Sequence, residues 1–310
     1  MEFLRLLEGL RTPALNSFFS AVTYLGNETL FIVLAIVLFW CVNKRYGYYC
    51  FFVGIFGMSV NQFLKLWYRI PRPWVLDPDF TIVEAARAGA SGYSFPSGHT
   101  QNTVGTMSVM AIAVKPKWLK AVFLAVVLLV PFSRMYLGVH TPLDVGVAFL
   151  TAALLLALFW PCCRSDECLA KTAPWLLSLA ELTCLGSVLF VVRYPFPVEI
   201  DVENLTHGIK SAYTLLGCAL GLAVTYFFDA RKLHFSVDAP LPGQLIKLVL
   251  GFAGALVIRV ALKGILNDVL GDVMLNHAIR YFIMVVFCGC IWPMTFPLWA
   301  KIGAAKYSAK

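Results

Sequence analysis

Apolar runs of nearly membrane-spanning length are the feature that most constrains how this chain folds. They cover residues 28–43, 47–68, 99–115, 118–136, 141–160, 174–192, 211–228, 244–264 and 276–300. Most approach the roughly 17 to 25 residues that a helix needs to cross the hydrocarbon core. A soluble bundle would need a polar face at helical period, and the run from Leu30 to Val42 has none. The sequence therefore predicts an all-α, polytopic membrane helix bundle with about nine transmembrane helices.

The charge and cysteine content agree with a membrane protein. They argue against a soluble domain, a nucleic-acid-binding protein and a disulfide framework. Charged residues make up 14% of the 310 residues, whereas about a quarter is usual for soluble domains. The net charge of +8 includes no basic tract or aromatic-rich groove, so no nucleic-acid partner is expected. Most of the nine cysteines lie in or beside spans, which indicates free thiols. Cys162, Cys163 and Cys168 lack a nearby fourth ligand for zinc. The sequence does not define an oligomeric state.

Basic residues between the spans predict the orientation in the membrane. They occupy alternate connections and the C-terminal tail: Lys44, Arg45, Lys115, Lys117, Lys120, Arg164, Lys171, Arg231, Lys232, Lys301, Lys306 and Lys310. By the positive-inside rule these connections face the cytoplasm. Nine spans then place the N-terminus outside, with residues 1–27 as an amphipathic interfacial segment. A tenth crossing by residues 13–27 is the alternative. We expect a multi-pass protein of the cell membrane.

Three polar clusters interrupt the apolar pattern. The predicted topology places all three at the extracytoplasmic face of the membrane. They lie in KLWYRIPRPW, in FPSGH and in SRMYLGVHTPLD. Each has a plain structural interpretation. Lys65 and Arg72 are typical of an interfacial anchor, Ser97 of a helix N-cap, and Thr141 with Asp144 of a capping box. These interpretations do not explain an arginine and a histidine at the membrane edge.

Taken together, the clusters resemble the three-part signature of the type-2 phosphatidic-acid phosphatase superfamily. The matching residues are Lys65, Arg72, Pro73, Pro96, Ser97, Gly98, His99, Ser133, Arg134, His140 and Asp144, in the signature's order and spacing. The resemblance implies a six-helix-type catalytic phosphatase core over residues 28–160, after the interfacial segment 1–27. Residues 161–310 would form an accessory four-span membrane domain. The nine-span layout is similar to the glucose-6-phosphatase branch.

The residue types suit phosphoryl transfer without a metal or other cofactor. The transition state spreads negative charge over three equatorial oxygens, which many enzymes neutralise with magnesium. The polar face has no carboxylate cluster, but Lys65, Arg72 and Arg134 supply fixed positive charge and forked donors. Ser97 and Gly98 begin a helix, whose free N–H groups and dipole add an anion site. We therefore predict a phosphate-binding site at this helix start.

Two histidines remain, and the reaction needs two roles: a nucleophile that bonds to phosphorus, and a group that gives and takes protons. Asp144 follows His140 by four residues, a spacing that lets its carboxylate hold one ring nitrogen and aim the other as a nucleophile. By this account, and as the resemblance implies, His140 forms a phosphohistidine. His99 protonates the leaving group and then activates water. The alternative for each histidine is a core position satisfied by a backbone carbonyl.

These observations predict an integral membrane phosphatase that acts on membrane lipid phosphates or diphosphates at the extracytoplasmic face. Undecaprenyl diphosphate and phosphatidate are the leading substrates. One alternative is a sugar phosphate, suggested by the layout of the glucose-6-phosphatase branch. The other is a transporter or structural membrane protein that kept the fold and lost the chemistry.

A second set of basic residues lies outside the signature. The topology places Arg259 and Lys263 near the outer end of the eighth span, and His277 and Arg280 near the outer start of the ninth. Two interpretations stay open. The side chains extend to lipid headgroups, or they form a second anion subsite for the substrate.

Overall fold

The regular secondary structure of the described residues is entirely helical. A computed structural model of the chain describes residues 1–302, so Lys306 and Lys310 lie outside the described residues. The α-helices are α1 (Glu2–Gly9), α2 (Pro13–Thr23), α3 (Glu28–Val37), α4 (Lys44–Tyr68), α5 (Pro73–Leu76), α6 (Gly98–Ala113), α7 (Lys117–Tyr136), α8 (Pro142–Cys163), α9 (Asp166–Arg193), α10 (Val202–Phe228), α11 (Leu241–Leu270), α12 (Leu275–Val286) and α13 (Phe296–Ala300). Wider π-turns continue three of them over Leu38–Val42, Asp229–Leu233 and Phe287–Ile291, and 3-10 turns cover Tyr24–Gly26, Glu84–Ala86 and Trp292–Thr295.

Seven helical segments of the described chain are long and apolar enough to cross a membrane. They are Lys44–Leu76, Lys117–Tyr136, Pro142–Cys163, Asp166–Arg193, Val202–Leu233, Leu241–Leu270 and Leu275–Ala300. A pair of helices, Pro13–Gly26 and Glu28–Val42, is bent by 51° and makes an eighth if it crosses as one broken span. The predicted polytopic helical bundle is confirmed, and the number of nine spans stays a prediction.

The predicted third span corresponds to α6, which is shorter and more polar than the other spans. Its 16 residues extend about 24 Å, less than the roughly 30 Å of a hydrocarbon core. Most of the helix is buried, including the polar side chains of Gln101, Asn102 and Thr103. Because protein rather than lipid surrounds α6, its sequence does not need a continuous apolar surface.

The chain forms two compact units. Unit 1 contains Met1–Ala35, Tyr49–Pro161 and Tyr194–Gly208, and unit 2 contains Ile36–Tyr48, Cys162–Arg193 and the chain from Ile209 onwards. All residues of the three-part signature fall in unit 1. The predicted division into residues 1–27, 28–160 and 161–310 concerns function and stays a prediction.

The N-terminal helix α1 is amphipathic, as predicted, and its apolar side packs inside unit 1. Leu4 and Leu7 are buried. On the polar side, Arg5 forms an ion pair of 2.6 Å with Asp77, and Glu8 accepts a hydrogen bond of 2.9 Å from the backbone N–H of Thr81. Helix α1 therefore holds the long connection that follows α4.

The break between α2 and α3 packs closely against α6 and α7. A Cβ atom added to Gly26 would lie 2.7 Å from Val130, 2.8 Å from Thr103 and 3.2 Å from the Cβ atom of His99. Such a side chain does not fit without displacing its neighbours, so glycine permits the close approach. Thr23, in the last turn of α2, is also buried. The N-terminal segment thus forms part of the surroundings of His99.

Candidate functional site

Three consecutive backbone carbonyls hold the first two cationic side chains of the signature. Lys65, near the end of α4, donates a hydrogen bond to the carbonyl of Tyr93. Arg72 donates from Nη2 to Ser91 at 2.7 Å and from Nε to Gly92 at 3.0 Å. Both cations are buried. Gly92 has a φ of +71°, a left-handed conformation that favours glycine and lets this loop present its carbonyls in sequence.

Asp144 combines a helix cap with the orientation of His140. The predicted capping box at the start of α8 is confirmed: the N–H of Thr141 donates to Oδ2 of Asp144 at 2.7 Å, and the N–H of Asp144 donates to Oγ1 of Thr141 at 3.2 Å. The same Oδ2 accepts a hydrogen bond of 2.6 Å from Oγ of Ser94. It lies 3.5 Å from Nδ1 of His140. These contacts fix the carboxylate that faces the imidazole ring.

The opposite nitrogen of the His140 ring faces Arg72. Nη1 of Arg72 lies 2.9 Å from Nε2 of His140 and also donates to the carbonyl of Val139 at 3.0 Å. Nη1 also lies 3.5 Å from Nδ1. A guanidinium has only donors, so the shorter contact favours Nε2 as the acceptor and Nδ1, towards Asp144, as the site of the ring proton. This arrangement leaves a lone pair on Nε2.

The environment of His140 keeps its ring neutral. The side chain is only 2% exposed. Burial, reinforced by the positive charges of Arg72 and Arg134, lowers the pKa of His140 well below its ordinary value of 6.5. At neutral pH the ring is therefore unprotonated at Nε2, which is the state that a nucleophile requires.

The start of α6 is joined to α8 beside Asp144. Ser97 caps α6, as predicted. The Oγ atom of Ser97 accepts hydrogen bonds from the N–H of Thr100 at 3.4 Å and from the hydroxyl of Thr100 at 3.0 Å. The N–H of Ser97 donates to the backbone carbonyl of Asp144 at 3.0 Å. A Cβ atom added to Gly98 would meet only Oδ1 of Asn61, at 4.0 Å. The helix start is thus open on the side where Gly98 lies.

Arg134 and His99 meet at Gly89. Nη2 of Arg134 donates to the carbonyl of Gly89 at 3.3 Å, and Nη1 donates to Oγ1 of Thr23 at 2.8 Å. A Cβ atom on Gly89 would lie 3.9 Å from Nε2 of His99. Within the described chain, Nε of Arg134 is buried without a hydrogen-bond partner. This buried donor can serve an anion that enters the site.

The structure brings all predicted site residues together in unit 1. Lys65, Arg72, Arg134 and His99 all act electrostatically on His140. Ser97 joins them through its backbone hydrogen bond to Asp144, and Gly98 follows Ser97 as the first residue of α6. In residues 1–302 no group of three or more His, Cys, Asp or Glu side chains is placed to hold a metal ion.

The sequence-based prediction missed three contributions to the site. They are the hydroxyl of Thr23, the hydroxyl of Ser94 and the carbonyl run of residues 91–93. Ser94 could have been suspected from its place two residues before Pro96. Thr23 carries no local signal, since it lies 111 residues from the arginine that it contacts.

Comparisons with known proteins agree with the three-part signature. The family described as the PAP2 superfamily matches residues 45–166, and the family described as the PAP2 superfamily phosphatase, transmembrane extension, matches residues 213–303. Phosphatidylglycerophosphatase B of Bacillus subtilis is 30% identical over 48% of this chain and 75% of its own length. Undecaprenyl-diphosphatase BcrC of the same organism is 33% identical over 42% of this chain and 64% of its own length.

A eukaryotic relative matches more of the chain at lower identity. Sphingosine-1-phosphate phosphatase 1 of Rattus norvegicus is 25% identical over 81% of this chain. This chain spans 58% of the length of that relative and 54% of sphingosine-1-phosphate phosphatase 2 of Homo sapiens. No solved structure matches the chain significantly.

Proposed function

The chain belongs to the PAP2 superfamily, and from that premise we propose that it is an integral membrane phosphatase acting on lipid phosphate or diphosphate esters through a phosphohistidine intermediate. One observation carries the proposal. The buried, neutral ring of His140 has Nδ1 3.5 Å from Oδ2 of Asp144 and Nε2 2.9 Å from Nη1 of Arg72, and Arg134 and Lys65 add positive charge that acts on the ring.

In the first step, Nε2 of His140 attacks the phosphorus and the bond from phosphorus to the leaving oxygen breaks. The carboxylate of Asp144 stabilises the positive charge that develops on the ring. His99 donates a proton to the leaving oxygen. Burial and the positive charges of Arg134 and Arg72 lower the pKa of His99, so the ring carries this proton only once the negative charge of the bound phosphate offsets those cations. In the structure, Arg72 donates to Nε2 of His140. The entering phosphate group therefore replaces the imidazole as the acceptor of that N–H. The fixed cations neutralise the equatorial oxygens.

In the second step, water attacks the phosphohistidine and the bond from phosphorus to Nε2 breaks. His99, which lost its proton to the leaving group, accepts a proton from this water. Inorganic phosphate leaves and Nε2 regains its lone pair. The two steps use the same cations because the charge on the equatorial oxygens is similar in both.

The names of the relatives support a lipid substrate. Two of them are named for lipid monophosphates, namely sphingosine 1-phosphate and phosphatidylglycerophosphate. A third is named for a polyprenyl diphosphate. We propose that this chain hydrolyses long-chain lipid phosphates, with phosphatidate and undecaprenyl diphosphate among them. The alternation of basic connections supports an active site at the extracytoplasmic face.

A substrate panel with and without a chelator tests this function. We expect the purified protein to release inorganic phosphate from long-chain lipid phosphates and to retain its activity in EDTA, because protein cations neutralise the phosphate charge. Vanadate should inhibit by mimicking the five-coordinate phosphorus. The His140→Ala variant, purified in parallel, controls for contaminating phosphatases.

Each other outcome of the panel contradicts part of the proposal. Activity that EDTA removes and magnesium restores would contradict metal-independent catalysis. A preference for sugar phosphates would favour the soluble-substrate alternative. No phosphate release from any ester would favour a protein that has lost the chemistry.

Thr23 is predicted to be a positioning residue for Arg134. Thr23→Val keeps the side-chain shape but removes the acceptor of Nη1, so kcat/KM should fall about tenfold or more as Arg134 shifts. Vanadate should bind more weakly in parallel, and Thr23→Ser should restore both values. Thr183→Val removes a threonine hydroxyl that donates to the carbonyl of Leu179 within its own helix, and it serves as the control. Wild-type activity and vanadate affinity in Thr23→Val would contradict this role.

A further inference from the structure

A second group of basic side chains lies in unit 2, outside the candidate active site. Arg280, Lys210 and Lys263 all act electrostatically on His277, and they come from α12, α10 and α11. Asp272 is the acid that acts on the same ring. Lys263, His277 and Arg280 thus lie near one another, as the sequence suggested. Arg259 is not among the groups that act on His277, and Lys210 takes its place.

The guanidinium of Arg280 is partly buried and contacts His277, unlike that of an arginine whose side chain extends into water. Its Nη2 lies 3.2 Å from Nδ1 of His277, and its Nε is buried without a hydrogen-bond partner in the described chain. A side chain that extended to hydrated headgroups would keep this donor in contact with water. A buried N–H without an acceptor is costly, so the geometry indicates that an acceptor is missing.

The three permanent cations of this group have no carboxylate within ion-pair distance in the described chain. None of the ion pairs within residues 1–302 includes Lys210, Lys263 or Arg280. Lys210 and Lys263 are exposed, whereas His277 and Arg280 are half-buried. The group therefore has two inner donors and two outer cations.

Backbone and amide contacts hold the three helices around this group. Nδ2 of Asn276 donates to Oδ1 of Asn267 at 3.0 Å and to the carbonyl of Gly271 at 2.6 Å, which joins the end of α11 to the start of α12. Helix α10 approaches α12 so closely that a Cβ atom on Gly217 would lie 2.8 Å from the carbonyl carbon of Ala278. The donors are thus arranged before any ligand binds.

We propose that Lys210, Lys263, His277 and Arg280 form a binding site for a phosphate group. The planar guanidinium of Arg280 matches phosphate oxygens, and two exposed lysines add the charge that a phosphate attracts. The site lies where α11 ends and α12 begins, at the ends of two membrane-spanning segments. This depth suits the headgroup phosphate of an anionic lipid, and free inorganic phosphate offers the same chemistry.

The test uses the full-length protein in nanodiscs and measures its thermal unfolding, with no hydrolysis assay. In one arm, phosphatidylglycerol replaces an increasing fraction of phosphatidylcholine. In the other arm, inorganic phosphate is added to phosphatidylcholine nanodiscs. We expect at least one ligand to raise the melting temperature, and Arg280→Gln to weaken the apparent affinity about tenfold or more. Lys171→Gln, which changes an exposed lysine paired with Glu167, is the matched control.

The two arms distinguish the source of the phosphate. Stabilisation by phosphatidylglycerol alone assigns the site to a lipid headgroup. Stabilisation by inorganic phosphate supports the site in unit 2 only if Arg280→Gln abolishes it and Arg72→Gln does not. The Arg72→Gln control is needed because inorganic phosphate is also the product expected at the candidate active site. If Arg280→Gln does not fold, Lys210→Gln and Lys263→Gln remove charge at exposed positions. No stabilisation of the wild type, or an unchanged response in all three variants, would overturn the site without affecting the proposed phosphatase.

Discussion

Replacing His140 by alanine is expected to lower kcat for every phosphate ester by about 10⁴-fold or more, because the variant lacks the proposed nucleophile. The measurement is release of inorganic phosphate at saturating substrate. Arg72 and Lys65 are held by backbone carbonyls, so these proposed phosphate-binding cations should stay in place. The loss should therefore appear in kcat more than in binding of vanadate.

Two further variants make this result specific. His140→Asn keeps an amide that can donate to Asp144, so it preserves the buried contact and should be as inactive as the alanine variant. His234→Asn changes an exposed histidine whose φ of 46° asparagine tolerates, and it should retain wild-type activity. Substantial turnover in folded His140→Asn would contradict the nucleophile assignment.

His99→Ala should lower steady-state turnover by about 10²- to 10⁴-fold, with a size that depends on the leaving group. An alkyl alcohol needs a proton as it leaves, whereas a dinitrophenolate does not. The variant should therefore still form phosphoenzyme from dinitrophenyl phosphate. It should hydrolyse that intermediate slowly, because His99 is also the proposed base that activates water.

Labelled phosphate separates this role from that of His140. We expect a burst of labelled protein in His99→Ala with dinitrophenyl phosphate, little label with an alkyl phosphate, and none in His140→Ala with either ester. Thr100→Ser, a conservative change at the next residue along α6, serves as the control for disturbance of the helix start. Equal labelling of the two histidine variants would contradict the division of roles.

Features encoded by local patterns were predictable from the sequence. The capping box of Thr141 and Asp144 and the cap at Ser97 depend on residues within one helical turn, and the structure confirms both. The long apolar helices were predictable because lipid requires an apolar surface of sufficient length. Helix α6 departs from this rule, since neighbouring helices rather than lipid cover Gln101 and Asn102.

Contacts between distant parts of the chain were not predictable from these patterns. The amphipathic period of α1 indicated a helix with one apolar side, but not that Leu4 and Leu7 would pack within unit 1. The partner of Arg134 could not be chosen among the many threonines, because Thr23 meets it only through the packing of α2. Lys210 joined the basic group of unit 2 for the same reason.

Locating the phosphate in a trapped reaction intermediate decides whether His140 is the nucleophile. Wild-type protein is mixed with labelled substrate, quenched with base within a turnover, digested and analysed by mass spectrometry. We expect label on Nε2 of His140, in a phosphoramidate bond that survives base and is hydrolysed by acid. Label on another residue would contradict it. So would the absence of any intermediate together with inversion of configuration at a chiral phosphorus, since two successive displacements retain configuration.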